Sequence, residues 1–177
     1  MVREYVAGRR VTYLGPFAML AILIVAESYL RSRLTFDIAD TATEPIGRDL
    51  SRLVEQTRIH HEKWFFIGLV PVQATFSYLW FRAARQNFGE HFVLNLYGAC
   101  TALIVSVVTW GVIAGLGEGV AVGGRIANAG AALTVAYYAA LYCQYFSGFA
   151  YRRTSLVVRS VGAAASFDLC IILLAIA

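Results

Sequence analysis

The sequence predicts an all-α protein, a polytopic bundle of membrane-spanning helices. Three observations carry that prediction. First, 59% of the 177 residues are hydrophobic and only 15% are charged, against about 45–50% and about 25% in an average soluble domain. Second, the chain holds long apolar runs at 11–30, 64–81, 92–116, 126–149 and 156–177, and a spanning helix needs roughly 17–25 such residues. Third, none of these runs shows the period-2 alternation of a barrel strand, and in lipid only helices or closed barrels satisfy their own backbone. Disorder is excluded by the apolar content. A compact soluble domain of this size could not hide so much apolar surface.

The run at 11–30 is the first span. It is too long for the apolar core of a typical secretory leader, and no small-residue cleavage pattern follows it. The joint at 31–63 balances Arg31, Arg33, Arg48, Arg52, Arg58 and Lys63 against Asp37, Asp40, Glu44, Asp49, Glu55 and Glu62. Inside it, Thr43 is placed to cap a helix with Pro45 in the first turn. Ile46, Leu50, Leu53 and Val54 then form one apolar stripe. An amphipathic interfacial helix is expected at 45–61 on the outer surface, its stripe lying on lipid or capping the bundle mouth; the alternative is a solvated linker helix running into the second span. The run at 64–81 is the second span, 92–116 the third and 126–149 the fourth. The run at 156–177 contains Arg159, near enough to its start to snorkel, and Asp168. It makes a fifth span, with a four-helix bundle and a half-inserted tail as the alternative.

Net charge is +4, and Lys63 is the one lysine among fifteen basic residues. The arginines flank apolar runs, where they orient helices in a bilayer, so no nucleic-acid partner is expected. Arg3, Arg9, Arg10, Arg82, Arg85, Arg152 and Arg153 fall on one side of a five-span topology. Only Arg125 lies in the opposite short joint. The N-terminus is therefore expected in the cytoplasm. Cys100, Cys143 and Cys170, an odd set without CxxC spacing, suggest neither a disulfide framework nor a zinc site.

Charged groups inside spans are costly and tend to face the bundle interior. Glu27 and Asp168 are the two carboxylates so placed, at similar depth in the outer half. With Gln73, Arg125 and Asn128 they make a candidate intramembrane polar site; Asn95, Gln144 and Arg159 make a second, inner-side set. The simpler reading has Glu27 pairing with Arg31, its i+4 neighbour. Polar groups at helix contacts are commonly structural, worth about 0.6 kcal/mol each. His60-His61-Glu62 lacks the second histidine of a HExxH site, and no metal or cofactor is expected. Gly111, Gly115, Gly119 and Gly123 recur at every fourth residue, the spacing of close helix packing. Ala129, Ala132, Ala136 and Ala140 are the expected receiving surface. Tyr138, Tyr142 and Tyr145 share one helical face, and their hydroxyls need partners.

Gly8-Arg9-Arg10-Val11-Thr12-Tyr13-Leu14-Gly15-Pro16-Phe17 resembles the opening of an uncharacterised bacterial multi-pass membrane family. Pro71 in the second span, Glu90-His91-Phe92-Val93 at the third, and a tyrosine-rich fourth span ending in Arg152-Arg153 follow in the same order. Many members of that family begin with a zinc ribbon of CxxC pairs, absent here. The resemblance implies a bacterial inner-membrane location and this topology, but no activity. The residues are compatible with three functions. The favoured one is a non-catalytic membrane module or accessory subunit, whose partners are the lipid bilayer and a second copy or another membrane protein. The alternatives are a small oligomeric transporter or channel using Glu27 and Asp168, and a membrane-embedded enzyme acting on lipid. No catalytic motif supports the last.

Overall fold

The computed structural model of the chain describes residues 15–32, 68–116 and 120–176, with side chains placed up to Ser166 except at 116 and 120–122. The amphipathic stretch at 45–61 and His60-His61-Glu62 lie outside these residues. Those described form α1 (Pro16–Arg31), α2 (residues 68–80), α3 (Phe88–Leu116), α4 (Val120–Phe146) and α5 (Arg153–Ile176), with no strand among them.

Each boundary has a local cause. Pro16 is the first residue of α1, where its missing N–H costs nothing, and Gly15 precedes it in an extended conformation. After α2, Arg82–Ala84 form a tight 3-10 turn, and Arg85 closes it at φ 55°. The third helix begins four residues earlier than the apolar run at 92–116. Asn87 is the reason. Its side-chain Oδ1 accepts from the Glu90 N–H at 2.9 Å, while Glu90 Oε2 accepts from the Asn87 N–H at 3.0 Å. This reciprocal capping box satisfies two otherwise orphaned donors. Replacing Glu90 with Ala is expected to lower stability by about 1 kcal/mol, read as a lower thermal midpoint in detergent; an unchanged midpoint would remove the box from the account.

The fourth helix runs from Val120 to Phe146, against the expected 126–149. Gly123, Gly124 and Arg125 are carried within it rather than in a joint. Glycine inside a helix costs only about 1 kcal/mol, and Arg125 is exposed on the helix flank. The fifth helix opens at Arg153 instead of 156. Among the described residues two helical segments, Phe88–Gly115 and Gly123–Phe146, are long and apolar enough to cross a membrane, against the five spans expected from the apolar runs. Only 33% and 11% of their most apolar stretches are buried inside the molecule, so their apolar surface faces outward, unlike that of a soluble core helix.

Contacts set the helix directions. Phe17 meets Phe92, Glu27 meets Ser106, and Leu30 meets Gly111; positions rise together, so α1 and α3 are parallel. Tyr78 meets Phe88 and Gln73 reaches Tyr142, whose hydroxyl meets Asn95, so α2 runs antiparallel to α3. Gly98 lies against Tyr138 and Thr109 against Gly130, which makes α4 antiparallel to α3 as well. Gln73 meets Ala163, while Trp80 O meets Arg159, so α5 opposes α2. Successive helices thus alternate in direction.

Two apolar clusters hold this arrangement. One joins Phe81, Leu94, Tyr142, Phe146, Leu156 and Ala163, with the Phe81 and Phe146 rings stacked at 3.8 Å. The other joins α1, α2 and α3 through Leu20, Ile24, Val70, Leu96, Cys100 and Leu103. The outward faces are also apolar: Val25 is 66% exposed, Val108 58%, Leu133 57% and Val158 65%.

Candidate functional site: a buried polar chain

Among the buried polar residues, Gln73, Ser77, His91 and Asn95 form a chain with Tyr142 and the Ala163 carbonyl across four helices. Each helix supplies its members by helical spacing. Gln73 and Ser77 lie at i and i+4 on α2, and His91 and Asn95 at i and i+4 on α3, so each pair shares a face. Tyr142 enters from α4, and Ala163 contributes its carbonyl from α5. All five side chains are at most 2% exposed.

Counting donors and acceptors orients the chain. Gln73 Nε2 donates to Tyr142 Oη at 2.6 Å and to the Ala163 carbonyl at 3.3 Å. The Tyr142 hydroxyl donates to Asn95 Oδ1 at 2.6 Å. Asn95 Nδ2 donates to Ser77 Oγ at 2.9 Å and to the His91 carbonyl at 2.7 Å. Both amide groups thereby use both donors. Ser77 Oγ also lies 3.0 Å from the Ala74 carbonyl and 2.9 Å from His91 Nδ1. Its single proton serves one of the two; when Ala74 receives it, His91 Nδ1 carries the proton of the other contact. The His91 ring is held edge-on by Tyr78 at 5.5 Å and stacked by Phe146 at 5.6 Å.

A serine hydroxyl against an imidazole is also the arrangement of a nucleophile and its base. Two features argue against that use. Ser77 is fully buried, and His91 Nε2 has no hydrogen-bond partner to orient the ring, whereas a working base is oriented by a third group. The arrangement suits holding helices together.

The candidate residues of the sequence separate in space. Gln73 belongs to this chain, at the level of Asn95. Glu27 lies elsewhere, fully buried between α1 and α3. Ser106 Oγ donates to its Oε1 at 3.2 Å, and Arg31 stands 3.8 Å from the same oxygen, its guanidinium 4.7 Å over the Trp110 ring. Ser106 is eleven residues beyond Asn95 on α3, about 16 Å along the axis. Glu27 and Gln73 are therefore not neighbours. Arg125 and Asn128 are exposed near the start of α4, and the Asp168 side chain lies outside the described ones.

The glycines divide similarly. Gly111 approaches α1 through Leu30 at 3.9 Å, and nothing lies within 4 Å of a Cβ built at Gly115. Gly123 is buried, Gly119 lies outside the described residues, and Ala129, Ala132, Ala136 and Ala140 are exposed. The tight approaches are at Gly98, Gly130 and Gly162, where an added Cβ would fall 2.7 Å from Tyr138, 2.6 Å from Thr109 and 2.7 Å from Trp80.

Of the polar chain, Asn95 and Gln73 stood out from the sequence as polar residues in spans, and Tyr142 as a hydroxyl needing a partner. Ser77 and His91 were missed as members. The two i, i+4 polar pairs on neighbouring spans were the signal available. Tyr145, on the tyrosine face, accepts from Gln86 Nε2 at 2.9 Å. Among the described residues no group of three or more His, Cys, Asp or Glu could hold a metal. No protein-family model, curated protein or solved structure matches this chain.

Proposed function

We propose that this protein is a non-catalytic membrane module, an accessory or assembly subunit of five spans in a bacterial inner membrane with its N-terminus in the cytoplasm. The observation that carries the reading is the polar chain itself. Its groups meet one another across four helices, and its hydroxyls and imidazole are buried at 1% exposure or less, away from any substrate in solvent. The alternation of helix directions supports five spans, and so do the apolar runs at 11–30, 64–81 and 156–177 in the sequence. The arginines of the short joints support the orientation. The ordered marks from Gly8 to Arg153 support kinship with the uncharacterised membrane family.

The experiment compares Asp168→Asn and Gly115→Leu in purified protein, by native mass spectrometry for assembly and by proton flux in liposomes. Gly115 has open space around its Cβ position within the chain, so leucine there leaves the fold intact and tests a contact with another molecule. The module reading expects Asp168→Asn to be silent and Gly115→Leu to break assembly. If both variants assemble normally, the reading fails. A second reading, a small oligomeric transporter, draws on the full burial of the Glu27 carboxylate. It expects flux that Asp168→Asn abolishes, and unchanged flux in that variant refutes its mechanism.

A further inference from the structure

Four exposed arginines share one end of the bundle. Arg82 and Arg85 stand in the α2–α3 joint; Arg152 and Arg153 stand at the α4–α5 joint and the head of α5. The two joints are tied together. The Tyr151 hydroxyl donates to the Phe81 carbonyl at 3.0 Å, and the two rings meet edge to face at 5.8 Å. Phe81 precedes Arg82 and Tyr151 precedes Arg152, so the two basic runs start side by side. The 3-10 turn folds the first run back, with the Arg85 N–H donating to the Arg82 carbonyl at 3.2 Å.

These four guanidinium groups differ from that of Arg159 at the same end. Arg159 donates to the Trp80 carbonyl and to Ser155 Oγ and lies 5.5 Å over the Tyr151 ring, so it serves the fold. Among the described residues none of the four exposed arginines forms an ion pair. The acid in the same joint is Glu90, whose Oε2 is held by the Asn87 N–H in the capping box.

We propose that the tied joints form a binding site for the phosphate of an anionic phospholipid headgroup. The proposal rests on the membrane reading above, which puts this end of the bundle at the depth of lipid phosphates. Guanidinium forks match phosphate oxygens in pairs, and unpaired arginines beside a span are attracted to an anionic leaflet. Folding brings the two joints together, so the site needs both.

The test uses the full chain in non-ionic detergent, stripped of lipid and titrated with phosphatidylglycerol, phosphatidylcholine or inorganic phosphate, with bound species read by native mass spectrometry. Phosphatidylglycerol is expected to be retained in preference to phosphatidylcholine. Its affinity should fall about 30-fold in Arg82→Gln/Arg152→Gln and by less in Arg82→Lys/Arg152→Lys, which keeps the charge but loses the fork. All these positions are exposed, and an unchanged melting transition verifies the fold of each variant. Equal retention by wild type and the Gln double variant would overturn the proposal, as would equal binding of the two lipids. Displacement of the lipid by millimolar inorganic phosphate would assign the site to free phosphate and overturn the lipid assignment. Failure of the membrane reading would look different: the protein would stay monodisperse without detergent.

Discussion

Tyr142→Ala should lower the stability of the bundle by about 3–5 kcal/mol, the range for truncating a fully buried aromatic side chain. The ring packs against Phe81 at 5.8 Å and Tyr138 at 6.0 Å, and its loss opens a void among three helices. Tyr142→Phe isolates the other part of the effect. It keeps the ring and removes the oxygen that accepts from Gln73 and donates to Asn95. Hydrogen bonds between spanning helices average about 0.6 kcal/mol each, so this variant should cost about 1 kcal/mol. Unfolding titrations in mixed SDS and non-ionic detergent would read both. If Tyr142→Ala is as stable as wild type, the packing around the polar chain is wrong. If Tyr142→Phe costs as much as Tyr142→Ala, the hydroxyl outweighs the ring.

Gly162→Leu should cost about 3 kcal/mol, the upper end for overpacking a dense contact. A Cβ at 162 would stand 2.7 Å from Cη2 and Cζ2 of Trp80. That ring cannot step aside freely, because its Nε1 donates to Ser166 Oγ at 3.0 Å and its own carbonyl accepts from Arg159. The prediction has a rescue. In a Trp80→Ala background the leucine has room, so Gly162→Leu should add little there, a coupling of about 2 kcal/mol. The four-variant cycle measures it directly. Absence of recovery in the Trp80→Ala background would show that the indole is not what Gly162 accommodates. Gly115→Leu is the contrast: the same substitution on the open side of α3 should leave the monomer's stability unchanged.

Glycine position shows how far sequence reading carries. Gly111, Gly115, Gly119 and Gly123 make the conspicuous stripe, yet Gly111 and Gly115 have room around them, while neighbouring side chains crowd Gly98, Gly130 and Gly162, which belong to no repeat. Spacing along one helix says which residues share a face. It does not say which face meets which neighbour, because that depends on the rotation of every helix about its own axis. The same limit applied to Gln73. On the sequence it grouped with Glu27, Arg125, Asn128 and Asp168 at the outer side. In the fold its amide reaches Tyr142 and the Ala163 carbonyl, joining Asn95, which the sequence had assigned to the inner set. By contrast, Glu27 beside Arg31 was legible, since an i, i+4 pair is a property of one helix alone.

The all-helical class follows from composition and from apolar runs too long for strands, because those are sums over the chain. The helical faces of Gln73 with Ser77, His91 with Asn95, and Tyr138 with Tyr142 and Tyr145 also follow from the chain, through the 3.6-residue turn. Asn87 and Glu90 needed only their spacing to start α3 ahead of its apolar run. What tertiary structure decided was everything that requires two helices at once: the chain from Gln73 to His91, the separation of Glu27 from it by about three turns of α3, and the joining of Arg82 and Arg152 through Tyr151 and Phe81. The physical reason is that directional bonds and close packing are satisfied pairwise in space, while a sequence orders residues along one dimension only.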